Sequence, residues 1–396
     1  MARLRLTPID LVASLGMFTY ASSVVATPIV LLRVAAELDF GLAEGGGIEA
    51  VRAGFLLSIL IASGFAAARF GKRRSLAVGG LVLAAGLAAY AVAPSYVVIL
   101  LAVVLVGLGG GILEALLNPL VQDAHPEDSG RYLNIVNAFF SIGILVSVLV
   151  IGEGLTRGVS WRFMVGGLAV LAAVTGVLFA VIAGPRSPAA ARGGSGAVPV
   201  WTHARRFLTD RRFWLLSVAM FCGGGAEGAF TFWSASYVQL DLGALARGGA
   251  MATASFAAGM VTGRLASGHL VRQEHLHLLI VGSAVLGVVA SLAVWAVSGL
   301  TAFLAVVFFA GLTIACFWPS IQSYAAAELG GDSTMLFILL SVGGIPGFGL
   351  SSWIMGVIAE RAGLRTSLLV IPVLLAALSV VVMLSRRVPR PVEEIA

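Results

Sequence analysis

Two carboxylates stand in the middle of long apolar stretches: Glu114, in the run GILEALLNPL, and Glu227, in the run GAEGAFTFW. An ionisable side chain inside a membrane span costs roughly 2.5–3.5 kcal/mol on insertion scales, so a span that keeps one is a candidate for function. Asn118 follows Glu114 by one helical turn and shares its face, which sets a carboxyl beside an amide. A carboxyl withdrawn from water can hold a proton and give it up when water enters, and that is the chemistry a cation-coupling site requires. Glu114 is therefore the expected coupling group, with an inter-helix hydrogen bond as the plainer use of the same side chain. Glu227 stands among glycines, where a helix can bend toward a ligand. Ligand binding and a structural hydrogen bond fit it equally.

Polyhydroxylated solutes are held by amide and carboxyl hydrogen bonds to their hydroxyls and by an aromatic face against their C–H surface. Residues of those types recur on the apolar runs, and the expected substrate-binding set is Asn118, Asn134, Asn137, Glu227, Trp233, Trp318 and Gln322. Any one of these tryptophans also fits a packing or interface role. Arg264, within GMVTGRLASG, reads either as a cavity cation or as an arginine extending to the inner surface along a helix-packing stripe. Glu49 and Arg52 fall at the outer end of the second run and read as a solvated pair or a gate rather than a binding site.

The elements that must position these groups are membrane helices. With 59% hydrophobic and 11% charged residues, the chain lies outside the range of soluble domains, where about a quarter of residues are charged. A bilayer core of roughly 30 Å takes about 20 helical residues, and about twelve apolar runs of that length can be marked. The second is expected at 49–70, the fourth at 97–120, the seventh at 212–238 and the tenth at 300–324. The run near the N-terminus is too long for a signal core and reads as an uncleaved first span. Lys and Arg favour one set of loops, which places both termini in the cytoplasm. The net charge of +6 is then topology, not a nucleic-acid patch. The expected domains are a six-helix bundle at 1–184, a cytoplasmic linker at 185–211 and a second six-helix bundle at 212–396.

Sliding the chain against itself by roughly 204 positions brings Gly64 onto Gly268, Gly107 onto Gly311, Asp128 onto Asp332, Gly143 onto Gly347 and Arg157 onto Arg361. Matches at glycines and helix-start residues in one register are the mark of a duplicated bundle. Two such bundles suit alternating access to a central site.

The stretch GFAAARFGKRR, Gly64 to Arg74, resembles the loop signature after the second helix of the major facilitator superfamily. Gly64, Arg69, Gly71, Lys72 and Arg73 fit it, while Ala68 stands where the family has an acid. The resemblance implies an all-α fold of two pseudo-symmetric six-helix bundles, with Arg69, Lys72 and Arg73 as gating residues. Within the superfamily the fourth, fifth and seventh runs are similar to the fucose permease group of fucose:galactose:glucose proton symporters. Gly111–Leu120 matches its Glu followed by Asn-Pro, and Arg131–Gly143 its R-x-L-N stretch. Where that group carries an acid midway along the first helix, this chain has Tyr20, Ser22 and Ser23; Asp10 is too near the helix end to replace it.

The resemblance implies a carrier, not an enzyme, moving a small polar solute across the inner membrane, with a monosaccharide as the expected solute and a proton or sodium ion as the coupling partner. An exporter of drugs or metabolites and an uncoupled sugar facilitator are the alternatives on the same fold. No cofactor or metal is expected: the five histidines lack metal spacing, and Cys222 and Cys316 lie singly in apolar runs. Membrane lipid is the expected surrounding, nucleic acid is not a partner, and a monomer suffices.

Overall fold

The computed structural model describes residues 7–125, 129–182, 205–270, 273–329 and 333–388. Among them the chain is helical, with no strand, as a bilayer demands of any backbone that must satisfy its own hydrogen bonds. The helices are α1 (Pro8–Leu38), α2 (Leu42–Phe70), α3 (Lys72–Ala91), α4 (Tyr96–Ala124), α5 (Ser129–Thr156), α6 (Trp161–Val181), α7 (Arg211–Leu240), α8 (Ala246–Leu270), α9 (Leu276–Ala296), α10 (Leu300–Leu329), α11 (Ser333–Ala362) and α12 (Leu364–Arg387). The expected linker at 185–211 falls largely outside the described residues.

Among the described residues, ten helices are long and apolar enough to cross a membrane, and α2 and α8 are not among those ten. These two start at equivalent points of the repeat, and each carries an arginine within it, Arg52 and Arg264. The helices also run beyond the apolar runs read from the sequence. The second begins at Leu42, where the Glu44 carboxylate accepts the Gly41 backbone N–H at 2.6 Å, satisfying a donor that the first turn would leave open. Glu49 and Arg52 are therefore two to three turns inside α2, and they are 1% and 6% exposed. This corrects their reading as a solvated pair at the helix end.

α10 is interrupted at Ala315 and Cys316. Pro319 explains the break, because it has no N–H for the Ala315 carbonyl and its ring would crowd that group. The helix resumes with Ser320 N–H donating to Cys316 O at 2.9 Å, and Trp318 sits in the first turn of the new segment.

The chain divides into two compact units, 1–195 with Phe232–Ala254, and 196–231 with 255–396. The dividing points fall inside α7 and α8. In the first unit α3 packs on α4 and α6, and α1 on α5; in the second, α9 packs on α12 and α10.

The duplication is visible within each unit at atomic scale. A Cβ on Gly107 of α4 would meet Arg52 O at 2.6 Å and Leu56 N at 3.2 Å of α2. A Cβ on Gly311 of α10 would meet Phe256 O and Met260 N of α8. All three positions are related by the offset that the sequence suggested. Close backbone approach at a small residue is how membrane helices gain contact without a hydrophobic drive between them.

Candidate functional site

In the first unit, three helices bring together Tyr20, Arg52 and Glu114. Gly107 and Gly111 pack α4 on α2, and Gly110 takes the edge of the Tyr20 ring, so the next turn of that face points Glu114 at α1. Arg52 donates to the Tyr20 hydroxyl oxygen, and the Tyr20 hydroxyl donates to the Glu114 carboxyl. Tyr20 also packs on Phe140 of α5, with ring centroids 5.6 Å apart. Glu49 holds Arg52 in a fork: Arg52 Nε lies 2.9 Å from Oε2, and Nη2 lies 2.5 Å from Oε1. The Glu114 side chain is exposed, in contrast to its three buried neighbours.

In the second unit, the corresponding helices bring together Glu227 of α7, Arg264 of α8 and Trp318 of α10. Arg264 Nη2 lies 3.5 Å from Glu227 Oε1, and the Trp318 indole N–H donates to the Glu227 carboxyl. Among the described residues, Glu227 Oε2 and Arg264 Nε have no hydrogen-bond partner. The Trp318 ring occupies the space that a side chain at Gly344 of α11 would fill, 2.8 Å from that missing Cβ. Gly224 and Gly228 let α7 approach α11 at the same level, with a Cβ on Gly224 only 2.5 Å from Gly344 O.

Each unit thus holds an acid, an arginine and an aromatic hydrogen-bond donor on the first, second and fourth helices of its repeat. The acid and the aromatic have changed places. Trp318 stands at the position equivalent to Glu114, and Glu227 lies about one turn beyond the position equivalent to Tyr20. A second polar layer follows one turn on. Asn137 Nδ2 donates to Asn118 Oδ1 at 2.9 Å, and at equivalent positions Gln322 Nε2 donates to Ser341 Oγ at 3.2 Å.

The other expected site residues lie elsewhere. Trp233 is fully buried and meets Phe232 edge-on at 5.0 Å. It belongs to the first unit, whereas Glu227, Trp318 and Gln322 belong to the second. The side chain of Asn134 is outside the described residues. Of the expected gating residues, Lys72 Nζ donates to Asp123 Oδ2 at 2.7 Å and to Pro119 O at 3.1 Å at the end of α4. Arg73 donates to the carbonyls of Ile182 and Ala180, and Arg69 lies over the Phe70 ring.

Sequence reasoning missed Glu49, Arg52 and the part played by Tyr20. The sequence signal was the arginine in a helix that also carries an acid one turn earlier, a spacing that lets the two pair. Among the described residues, no group of three or more His, Cys, Asp or Glu could hold a metal ion. Both cysteines are buried and free.

Apolar helices in two repeats, each bringing an acid, an arginine and an aromatic donor together, are the make-up of a membrane transporter. Residues 12–276 match the family model of the Major Facilitator Superfamily, and the chain belongs to that superfamily. No curated protein matches the chain by sequence. Among solved structures, a bacterial homologue of the human lysosomal transporter Spinster aligns with TM-score 0.78 at 15% identity, covering 96% of each chain. The nucleoside transporter NupG aligns with TM-score 0.77 at 12% identity over 96% of this chain and 99% of that one. A variant of the E. coli fucose:proton symporter FucP aligns with TM-score 0.66 at 19% identity over 96% and 98%. At these identities the likeness is one of fold.

Proposed function

We propose that this transporter carries a monosaccharide, or a solute with the same display of hydroxyls, across the inner membrane by alternating access, coupled to a proton through Glu114. Both termini are cytoplasmic in this reading. The observation that carries it is the pair of acid, arginine and aromatic trios, each followed one turn on by an amide hydrogen-bonded to a neighbouring helix. Carboxylates accept from solute hydroxyls, amides do both, and the Trp318 face covers a sugar's C–H surface. A purely lipophilic cargo would leave Glu227 Oε2 and Arg264 Nε unpaired in a desolvated site, at a cost of about 1–3 kcal/mol each. Proteins of this fold include ones described as fucose:proton and D-xylose–proton symporters, which favours the same class of cargo.

The test is a thermal-shift screen of the detergent-purified protein against hexoses, pentoses, nucleosides and lipophilic cations, since a ligand that binds the folded state raises its apparent stability. Stabilisation confined to a few monosaccharides is the expected result. Stabilisation by lipophilic cations alone would overturn the reading.

A further inference from the structure

The two trios differ in their charge balance. In the second unit, among the described residues, Arg264 has one acid to face, Glu227, and their ion pair at 3.5 Å leaves a donor and an acceptor unused. In the first unit, one arginine faces two acids. Arg52 gives Glu49 both its Nε and its Nη2, and its hydrogen-bonded link to Glu114 runs through the Tyr20 hydroxyl, with the arginine charge near enough to act on Glu114 as well. Among the described residues, the ion pair of Arg52 is with Glu49 alone. Three residues before Arg264, where Glu49 stands relative to Arg52, α8 carries Val261, so no acid at that spacing competes for Arg264.

We infer that Glu49 is a positioning residue for proton coupling: by holding Arg52 in a fork, it keeps the arginine off Glu114 and leaves Glu114 free to gain and lose a proton. The inference rests on the coupling role proposed above for Glu114. A carboxylate locked to an arginine in a low-dielectric site stays ionised, because protonating it would strand the buried arginine charge. Such a carboxylate cannot cycle. Among the described residues, Glu114 has no such ion pair. The step is a plain proton transfer: water on one side gives a proton to a Glu114 oxygen, the carboxylate becomes a carboxyl, and the proton leaves to water on the other side. Among the described residues, the titratable or charged groups facing Glu114 are Tyr20 from α1 and Arg52 with Glu49 from α2. α5 contributes the Phe140 ring beside Tyr20 and the Asn137 amide one turn on.

Removing the Glu49 charge should release Arg52, whose guanidinium is already one hydroxyl away from Glu114. Glu49→Gln is therefore expected to lock Glu114 and uncouple the carrier without disabling it. Adding Arg52→Gln to that variant removes the arginine as well and should restore coupling. A purely structural role for the buried pair predicts no such rescue.

The experiment reconstitutes wild type, E114Q, E49Q and E49Q/R52Q in liposomes, with radiolabelled L-fucose, D-galactose and D-glucose as probes. Accumulation under an imposed pH gradient is compared with counterflow exchange. Infrared difference spectra across pH read the protonated-carboxyl band of Glu114 without any solute. The expected result is that E49Q loses accumulation and the band, keeps counterflow, and regains both accumulation and the band in E49Q/R52Q. Accumulation in E49Q equal to wild type, or a folded double variant that stays uncoupled, would overturn the inference. The double variant serves as the test by itself if E49Q does not fold. If E114Q itself accumulates normally, the coupling role of Glu114 fails; if E114Q fails to accumulate while E49Q accumulates, only the role of Glu49 fails.

Discussion

Asn137 donates its amide to Asn118 across 2.9 Å, tying α5 to α4 one turn beyond Glu114. The equivalent positions of the second repeat, Gln322 and Ser341, make the same tie between α10 and α11 at 3.2 Å. A cross-helix bond kept in both repeats while the side chains changed points to a requirement for polarity at that layer.

Asn137→Ala should cost about 1 kcal/mol of stability, the net worth of one such bond, and should reduce solute binding by more than that. The check is the melting temperature of wild type and variant, each with and without the stabilising monosaccharide. Equal ligand-induced shifts in the two proteins would remove Asn137 from the site.

Gly107→Ala and Gly311→Ala should each lose about 1–3 kcal/mol, because the added methyl meets backbone atoms of α2 or α8 that cannot turn aside. Gly167→Ala, where a Cβ would meet nothing within 4 Å, should be neutral or gain about 0.5–1 kcal/mol from helix propensity. Thermal melts in one detergent check all three. A Gly107→Ala protein as stable as wild type would mean that α2 and α4 do not pack in this register.

Much of this was legible in the chain. The apolar runs, the repeat and the shared face of Glu114 and Asn118 follow from spacing alone. Glu49 and Arg52 did not, because a window that seeks apolar residues opens the second run at residue 49 and so left both at its edge. The turns added by Glu44 and Gly41 carry them inside. Tyr20 was visible as the residue standing where an acid was expected, but its link to Glu114 joins α1 to α4 and has no local pattern. For Arg264 the sequence left two readings open, and its ion pair with Glu227 on the neighbouring α7 has no local sequence pattern.

Trp318→Phe should lose the N–H bond to Glu227, at a cost of about 1.5–3 kcal/mol for a bond to a charged group, and also the ring edge that packs on Gly344. Solute affinity should fall while expression and folding hold. Isothermal titration with the monosaccharide found in the screen measures it, and unchanged affinity would leave Trp318 as a packing residue.

Glu153 accepts from Arg157 at 2.7 Å and from Arg247 at 2.5 and 2.8 Å, and the Arg247 backbone N–H donates to Thr156 Oγ1 at 2.8 Å, so the end of α5 is clasped to the start of α8. These groups are partly open to solvent, so salt should screen the clasp. Glu153→Gln should lower the melting temperature in dilute buffer and have little effect in strong salt. An equal drop in both buffers would point to packing rather than charge.

Proton movement driven by solute tests the central claim most directly. Proteoliposomes in unbuffered medium, given the monosaccharide with no imposed gradient, should turn the outside alkaline as solute and proton enter together. Liposomes with Glu114→Gln protein should show no pH change while counterflow persists. Solute entry through the wild-type protein with no proton movement would contradict the account.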